Sequence, residues 1–293
     1  MTDKGILFVH AHPDDESIGN GATMAKYVSE GARVTLVTCT AGEEGEVIVP
    51  DLAHIAAAHE DRLGPVRQVE LARAMSALGV TDHRFLGGFG TYRDSGMMGT
   101  EPNNRPDCFW QADLLEAAKH LVAVIREVRP QVLVTYDDFG GYGHPDHIKA
   151  HRVAMYAYVL AGTASFAPEL GESWSISKVY WNASPRSEMQ AGIDAMKAAG
   201  ISNEFTEMNL EEFQFLCDDN LVAAEINAVG FAQAKLAALD EHKTQLDINS
   251  GFFAAFSHMG DRALGTEFYR LVAAPTGYEI APGTRETDLF AGI

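Results

Sequence analysis

Cysteine is scarce in this chain: Cys39, Cys108 and Cys217 are the only three in 293 residues, and no two stand at a paired spacing. That argues against a disulfide framework and a thiolate zinc site, and leaves buried or incidental thiols. Positive charge is also short. Lys and Arg number 22 against 41 Asp and Glu, for a net charge of −19, a field that repels phosphate backbones and anionic headgroups. Nucleic acid and membrane surfaces are therefore not expected partners; small neutral or weakly charged molecules are. No apolar run is long enough to span a bilayer, and the N-terminus lacks the basic region and apolar stretch of a signal peptide, so the expected location is the cytoplasm. Internal repeats and low-complexity linkers are missing as well.

What is present is an ordinary globular balance, 46% hydrophobic and 22% charged, in a chain long enough for a large core. Short apolar, β-branched runs alternate with longer amphipathic stretches through the first half, the pattern of a parallel sheet covered by helices. The runs Ile6 to Val9, Val34 to Thr38 and Val132 to Thr135 are expected strands. Leu114, Ala118, Leu121, Ile125 and Val128 recur at helical spacing, and Pro130 closes that helix before the third strand. The segments Gly87 to Pro106 and Phe139 to Pro145 read as long loops. In the less regular second half, Trp174 to Asn182 reads as a strand region, Leu221 to Leu239 as a helix and Phe268 to Ala273 as a late strand. The expected fold class is α/β: a Rossmann-like, mostly parallel sheet flanked by helices over residues 1–170. Residues 171–293 form a smaller C-terminal α/β portion that packs on this core and completes a pocket, or join it in one compact domain.

Two clusters carry chemistry. His10-Ala11-His12-Pro13-Asp14-Asp15-Glu16 follows the first strand, where a parallel sheet presents its ligand crevice. A dinucleotide site needs glycines there; this turn instead offers imidazole nitrogen and carboxylate oxygen, donors suited to a borderline divalent cation. His144-Pro145-Asp146-His147 follows the strand ending near Tyr136 and opens the next helix. Taken singly, a strand-end Asp is often a helix N-cap and a lone His a satisfied polar residue. Together, two such clusters after core strands, each with a proline fixing the turn, point to one shared metal.

The pair His12-Pro13-Asp14-Asp15-Glu16 and His144-Pro145-Asp146-His147 resembles the signature of the LmbE/PIG-L-type N-deacetylases, zinc enzymes that remove acetyl groups from glucosaminides. Within that family the resemblance is greatest to the branch of mycothiol biosynthesis that acts on N-acetylglucosaminyl-inositol. It extends to Thr38-Cys39-Thr40, Gly42-Glu43-Glu44-Gly45-Glu46-Val47, Arg93-Asp94-Ser95-Gly96-Met97, Gly140-Gly141-Tyr142-Gly143 and Glu286-Thr287-Asp288-Leu289, and is weakest from about Ser184 to Asp219. The resemblance implies that His12, Asp15 and His147 hold Zn2+, Fe2+ or another divalent metal, with no organic cofactor. It makes Asp14 the base toward the attacking water, and Tyr142 and His144 the donors to the oxyanion, His144 as a protonated imidazole whose charge Asp146 supports. It turns Arg67, Asp94 and Glu46 toward the hydroxyls of a small amino-sugar inositol substrate. His151, one helical turn beyond His147, is not assigned as a ligand, since a fourth protein ligand would close the position that water needs. His242 and Gln245 receive no role, and the sequence leaves a homo-oligomer open.

The nearest rival is the mycothiol-conjugate amidase, a relative with the same metal core. There the turn after the metal motif typically carries a lysine, where this chain has Gly19 in Ser17-Ile18-Gly19-Asn20. A non-catalytic sugar or metal binder on the same fold is the second rival. It has no need of Asp14 beside complete sets of ligands and donors.

Overall fold

The structure, a computed structural model, describes residues 4–198, 200, 204–207, 209–249 and 260–293. Its centre is an eight-stranded sheet. Strands β1 (Gly5–His10), β2 (Arg33–Thr38), β3 (Asp82–Phe85), β4 (Val132–Thr135) and β5 (Lys178–Pro185) are joined in parallel in the order β3-β2-β1-β4-β5. Strand β6 (Leu216–Cys217) pairs with the end of β5, and β7 (Ala224–Asn227) and β8 (Thr266–Ala273) extend the sheet beyond β5 antiparallel, in the order β5-β8-β7. The sheet is thus continuous across residue 170, and the C-terminal strands lengthen it.

Every residue of β1 is buried. Alternate side chains enter opposite cores: Leu7 and Val9 pack with Leu121, Ile125 and Leu133 on one face, and Ile6 and Phe8 with Met24, Leu71 and Tyr180 on the other. This two-sided burial is why the strand reads as an unbroken apolar run rather than an alternating one. Helices α1 (Asp15–Ser29), α2 (Leu63–Leu78) and α6 (Ala232–Glu241) pack against one another, and α3 (Leu114–Val128) packs against α4 (Pro145–Ala161); α5 (Arg186–Ala198) follows β5. Asp113 caps α3, its side chain accepting from the N–H of Glu116 at 2.8 Å, and Arg129 ends it in the left-handed conformation at φ 49° just before Pro130. Burying its apolar stripe, Ala118, Leu121 and Ile125 among them, holds this helix on the sheet.

Two sequence expectations change, and one strand is added. The stretch Leu221 to Leu239 is not one helix: β7 occupies its start, and α6 begins at Ala232. The cause is visible in burial at Val222, Ala224, Ile226 and Ala228, a period of two, and in pairing of Ala224 with Tyr269 on β8. The strand expected over Trp174 to Asn182 starts at Lys178 and runs to Pro185. Strand β3, Asp-His-Arg-Phe, is a half-buried edge strand whose polar residues give no apolar signal.

In this strand order β1 lies between β2 and β4, so the chain departs to opposite sides from the ends of β1 and β4. The crevice of a doubly wound sheet opens at such a reversal. The turn after β1 and the loop after β4 meet there.

Candidate metal centre

The turn after β1 brings Asp14 to φ 128°, ψ −35°, a backbone conformation that a residue with a side chain rarely adopts. It is held from three directions. The Asp14 N–H donates to Glu16 Oε2 at 3.0 Å, Arg67 Nη2 donates to Asp14 Oδ2 at 3.0 Å, and the same Nη2 donates to the Pro13 carbonyl. Arg67 Nη1 donates to the Gly42 carbonyl at 2.8 Å, and a Cβ on Gly42 would lie 2.0 Å from that nitrogen, so the guanidinium needs glycine there. Arg67, expected at a polyol, is instead only 3% exposed and ties the Asp14 turn to the Gly42 turn. Burial pushes the Asp14 carboxyl up, to about 6, with the Arg67 charge opposing.

Donor atoms of three residues converge beside it. His147 Nε2 lies 3.3 Å from His12 Nδ1 and 3.4 Å from Asp15 Oδ1, and His12 Nδ1 lies 3.5 Å from Asp15 Oδ2. A tetrahedral ion with bonds of about 2.0–2.1 Å has ligand-to-ligand edges of about 3.4 Å, close to these separations, in which the two imidazoles face different oxygens of Asp15. Charge fits too. Although burial disfavours its cation, His12 is held well above the usual imidazole range by Asp94, Asp146 and Asp15, so the cluster carries buried negative charge that a cation would balance. His147, by contrast, is pushed down to about 4 by burial and presents a neutral imidazole.

Each converging donor is oriented from behind. His12 Nε2 faces Asp146 Oδ2 at 3.2 Å, and Asp146 also accepts from the Ser95 N–H at 2.8 Å and the Ser95 hydroxyl. His147 Nδ1 faces the Gly140 carbonyl at 3.2 Å, and a Cβ on Gly140, at φ 68°, would meet His147 Cβ at 2.6 Å. The Tyr136 hydroxyl donates to Asp15 Oδ2 at 2.7 Å and accepts from the Ala11 N–H at 2.8 Å, while its ring stacks on His147 at 4.3 Å. Two further groupings, His12 with His144 and His147, and His12 with Asp94 and Asp146, also bring donors together. The second is already satisfied internally, because Asp94 accepts from the N–H groups of Gly96 and Glu44 and Asp146 from Ser95.

Several expected roles shift accordingly. Asp146 was expected to support a charge on His144, but its carboxylate lies on His12 and Ser95, and only its backbone N–H reaches His144, donating to Nδ1 at 3.1 Å. An imidazole that accepts at Nδ1 keeps its proton on Nε2 and is neutral; burial, with His12 and His147 nearby, pushes His144 down to about 3. Asp94 is buried, its Oδ1 3.6 Å from His12 Nε2. Glu46 is exposed, with no hydrogen bond of its side chain among the described residues. Tyr142 is 46% exposed, its ring 5.0 Å from that of His147. His151 Nδ1 donates to the Tyr136 carbonyl at 3.0 Å and takes no place among the converging donors. Sequence reading missed Tyr136 and Ser95; a tyrosine ending an apolar strand, two residues from no motif histidine, gave little signal. A cavity of about 510 Å3 is lined by Ile18, Gly19, Asn182, Phe215 and Phe268 among others, and none of the expected ligands or catalytic residues lines it.

The model of the GlcNAc-PI de-N-acetylase (PIG-L) family matches residues 7–158, a span that holds both strand-end turns. This chain belongs to that family. It is 56% identical over 291 residues to the 1D-myo-inositol 2-acetamido-2-deoxy-alpha-D-glucopyranoside deacetylase 1 of Catenulispora acidiphila, covering 99% of this chain and 90% of that protein. It is equally 56% identical over 305 residues to the corresponding deacetylase of Thermobispora bispora, covering all of both chains. Among solved structures, the N,N'-diacetylchitobiose deacetylase from Pyrococcus horikoshii matches at TM-score 0.62 with 18% identity, over 94% of this chain and 88% of that one. The 4-carboxy-2-hydroxymuconate hydratase from Pseudomonas putida matches at 0.58 with 18% identity, over 95% and 100%. A hydratase on the same fold shows that the fold does not by itself fix the reaction.

Proposed function

We propose that this protein is a metal-dependent hydrolase that removes the acetyl group from N-acetylglucosaminyl-myo-inositol, giving glucosaminyl-inositol and acetate in mycothiol biosynthesis. The observation that carries the reading is the convergence of His12 Nδ1, His147 Nε2 and Asp15 within 3.3–3.5 Å of one another, with the Arg67-paired carboxylate of Asp14 next door in sequence. Full-length relatives at 56% identity that carry the deacetylase name supply the substrate. His12, Asp15 and His147 would hold the ion, and their donor set suits zinc, ferrous iron or cobalt. Bound there, the ion would supply Lewis acidity toward water and the amide carbonyl.

The chain's own residues divide the remaining work. Asp14, locked by Arg67 and Glu16 and coordinating nothing, takes a proton from the attacking water as its oxygen bonds to the acetyl carbon. His144, neutral with its proton on Nε2, and the Tyr142 hydroxyl donate to the oxygen that gains charge. Asp14 returns the proton to the nitrogen as the C–N bond breaks, so acetate and a free amine leave. Arg67, Asp94 and Asp146 act on the shape of the site rather than on the sugar, and Glu46 at the rim is left to meet the polyol. In this reading residues 171–293 complete the pocket, and the reaction runs in the cytoplasm on a small soluble substrate.

The test compares acetate release from N-acetylglucosaminyl-inositol with cleavage of a mycothiol conjugate by the same metal-loaded protein. Catalytic efficiency on the acetylated sugar should exceed that on the conjugate by at least about tenfold, a difference of roughly 1.4 kcal/mol between transition states. Equal efficiencies would leave only the family assignment.

A further inference from the structure

Asp14 holds its unusual backbone angle through a chain of contacts that leads away from the metal donors and into the C-terminal part of the protein. Glu16 is fully buried and uses both carboxylate oxygens. Oε2 accepts from the Asp14 N–H at 3.0 Å; Oε1 accepts from the Ser17 hydroxyl at 2.6 Å and faces His242 Nε2 at 3.0 Å. His242, at the C-cap of α6, is also fully buried, more than two hundred residues from Glu16 in sequence. Its own segment is fastened: Thr244 donates through N–H and hydroxyl to Glu70 at 2.8 and 2.7 Å, on α2, the helix that also carries Arg67. A buried carboxylate and a buried imidazole are costly unless they serve each other. Here they end on one N–H, that of the residue with φ 128°.

We propose that His242 and Glu16 are positioning residues for Asp14: His242 fixes the Glu16 carboxylate, and Glu16 fixes the strained Asp14 backbone so that its side chain points at the attacking water. Arg67 holds the Asp14 carboxylate from one side and Glu16 holds its backbone from the other. The C-terminal segment thereby reaches the chemistry without touching substrate. A displacement of about 1 Å at a catalytic group can cost about 10²-fold in rate, so a lost tether should appear in turnover rather than binding. The inference rests on Asp14 being the base.

The experiment is a double-mutant cycle on the metal-loaded protein, reading acetate release, metal content and thermal midpoint. His242→Leu should lower kcat about tenfold or more, leave KM within about twofold, and keep one metal per chain. His242→Gln, whose amide N–H reaches toward Glu16 as Nε2 does, should restore kcat to within about threefold of wild type. In the Asp14→Ala background, His242→Leu should change the residual rate by less than about twofold, because the group it positions is gone. An equal loss in both backgrounds, a His242→Leu protein with wild-type kcat, or a His242→Gln protein as impaired as the leucine variant would each overturn the proposal. Should His242→Leu fail to fold, Glu16→Gln replaces it in the same cycle with the same expected pattern, since one amide oxygen cannot accept from Asp14, Ser17 and His242 together. Asp14→Ala at near wild-type rate would overturn the base assignment and this inference with it. Loss in Asp14→Ala beside an intact His242→Leu would overturn the inference alone.

Discussion

The two chain reversals that meet at the crevice are built on opposite plans. After β1, His12 and Glu16 are buried, Arg67 and Glu16 hold Asp14, and Tyr136 holds Asp15. After β4, three of the four residues in Gly140-Gly141-Tyr142-Gly143 are glycines, all at positive φ, and Tyr142 is nearly half exposed with no hydrogen bond of its hydroxyl among the described residues. One turn holds His12, Asp14 and Asp15 at the cost of backbone strain; the other leaves the Tyr142 side chain conformational room while Gly140 packs on His147 and the Gly141 N–H donates to Asp137. Under the proposed mechanism, groups needed throughout the cycle sit where packing over-determines them, and a group needed only as charge develops sits where it need not.

That contrast can be broken most severely at His147, the proposed ligand that follows the β4 reversal and meets His12 and Asp15 of the β1 turn. His147→Ala should abolish tight metal binding and lower turnover by at least about 10³-fold, measured by metal content after gel filtration and by acetate release. Asp14→Ala should separate the functions of the β1 turn: metal retained at one per chain, kcat down about 10²-fold or more. Tyr136→Phe removes only the hydroxyl that orients Asp15, so metal affinity should weaken about 10- to 100-fold in a competition titration with a chelator. Tyr142→Phe probes the looser loop and should lower kcat by about tenfold while KM and metal affinity stay within about twofold.

A remote pair provides the smallest expected effect and a control for the contrast. Asp288 receives bonds from Lys4 at 3.0 Å, Tyr27 at 2.9 Å and the Phe290 N–H at 3.0 Å, and despite the opposing effect of burial its carboxyl stays below the usual range. A folded pKa below the unfolded one means stability present above about pH 4 and lost as pH falls through the folded value. Asp288→Asn should therefore lower the thermal midpoint at neutral pH, with the gap to wild type closing in acid, and should leave kcat and metal content unchanged.

Much of this was legible in the sequence, for reasons that differ between elements. The helix Leu114–Val128 and the strand Val132–Thr135 lie where periodicity and Pro130 put them, because local signals and burial agree. The meeting of His12, Asp15 and His147 was legible because both motifs follow buried parallel strands, whose order then brings the ends together. The burial of Arg67 and Asp94 was not legible, since a charged side chain in a sequence does not say whether it meets solvent or a buried carbonyl. His242 and Glu16 were illegible as a pair, because nothing local links residues so far apart. The strand in Leu221 to Leu239 was hidden by alanines, which suit a helix until β8 offers an edge.

The central claim is that one metal, held where the two reversals meet, is what makes this chain a deacetylase. It is tested most directly by titrating metal-stripped wild-type protein with zinc or ferrous ion while acetate release from N-acetylglucosaminyl-inositol is followed. The account predicts no turnover in the stripped protein and a rise that saturates at one equivalent, reproduced by Asp14→Ala in binding but not in turnover. Turnover in the stripped protein, or activity that requires a second equivalent, would contradict it.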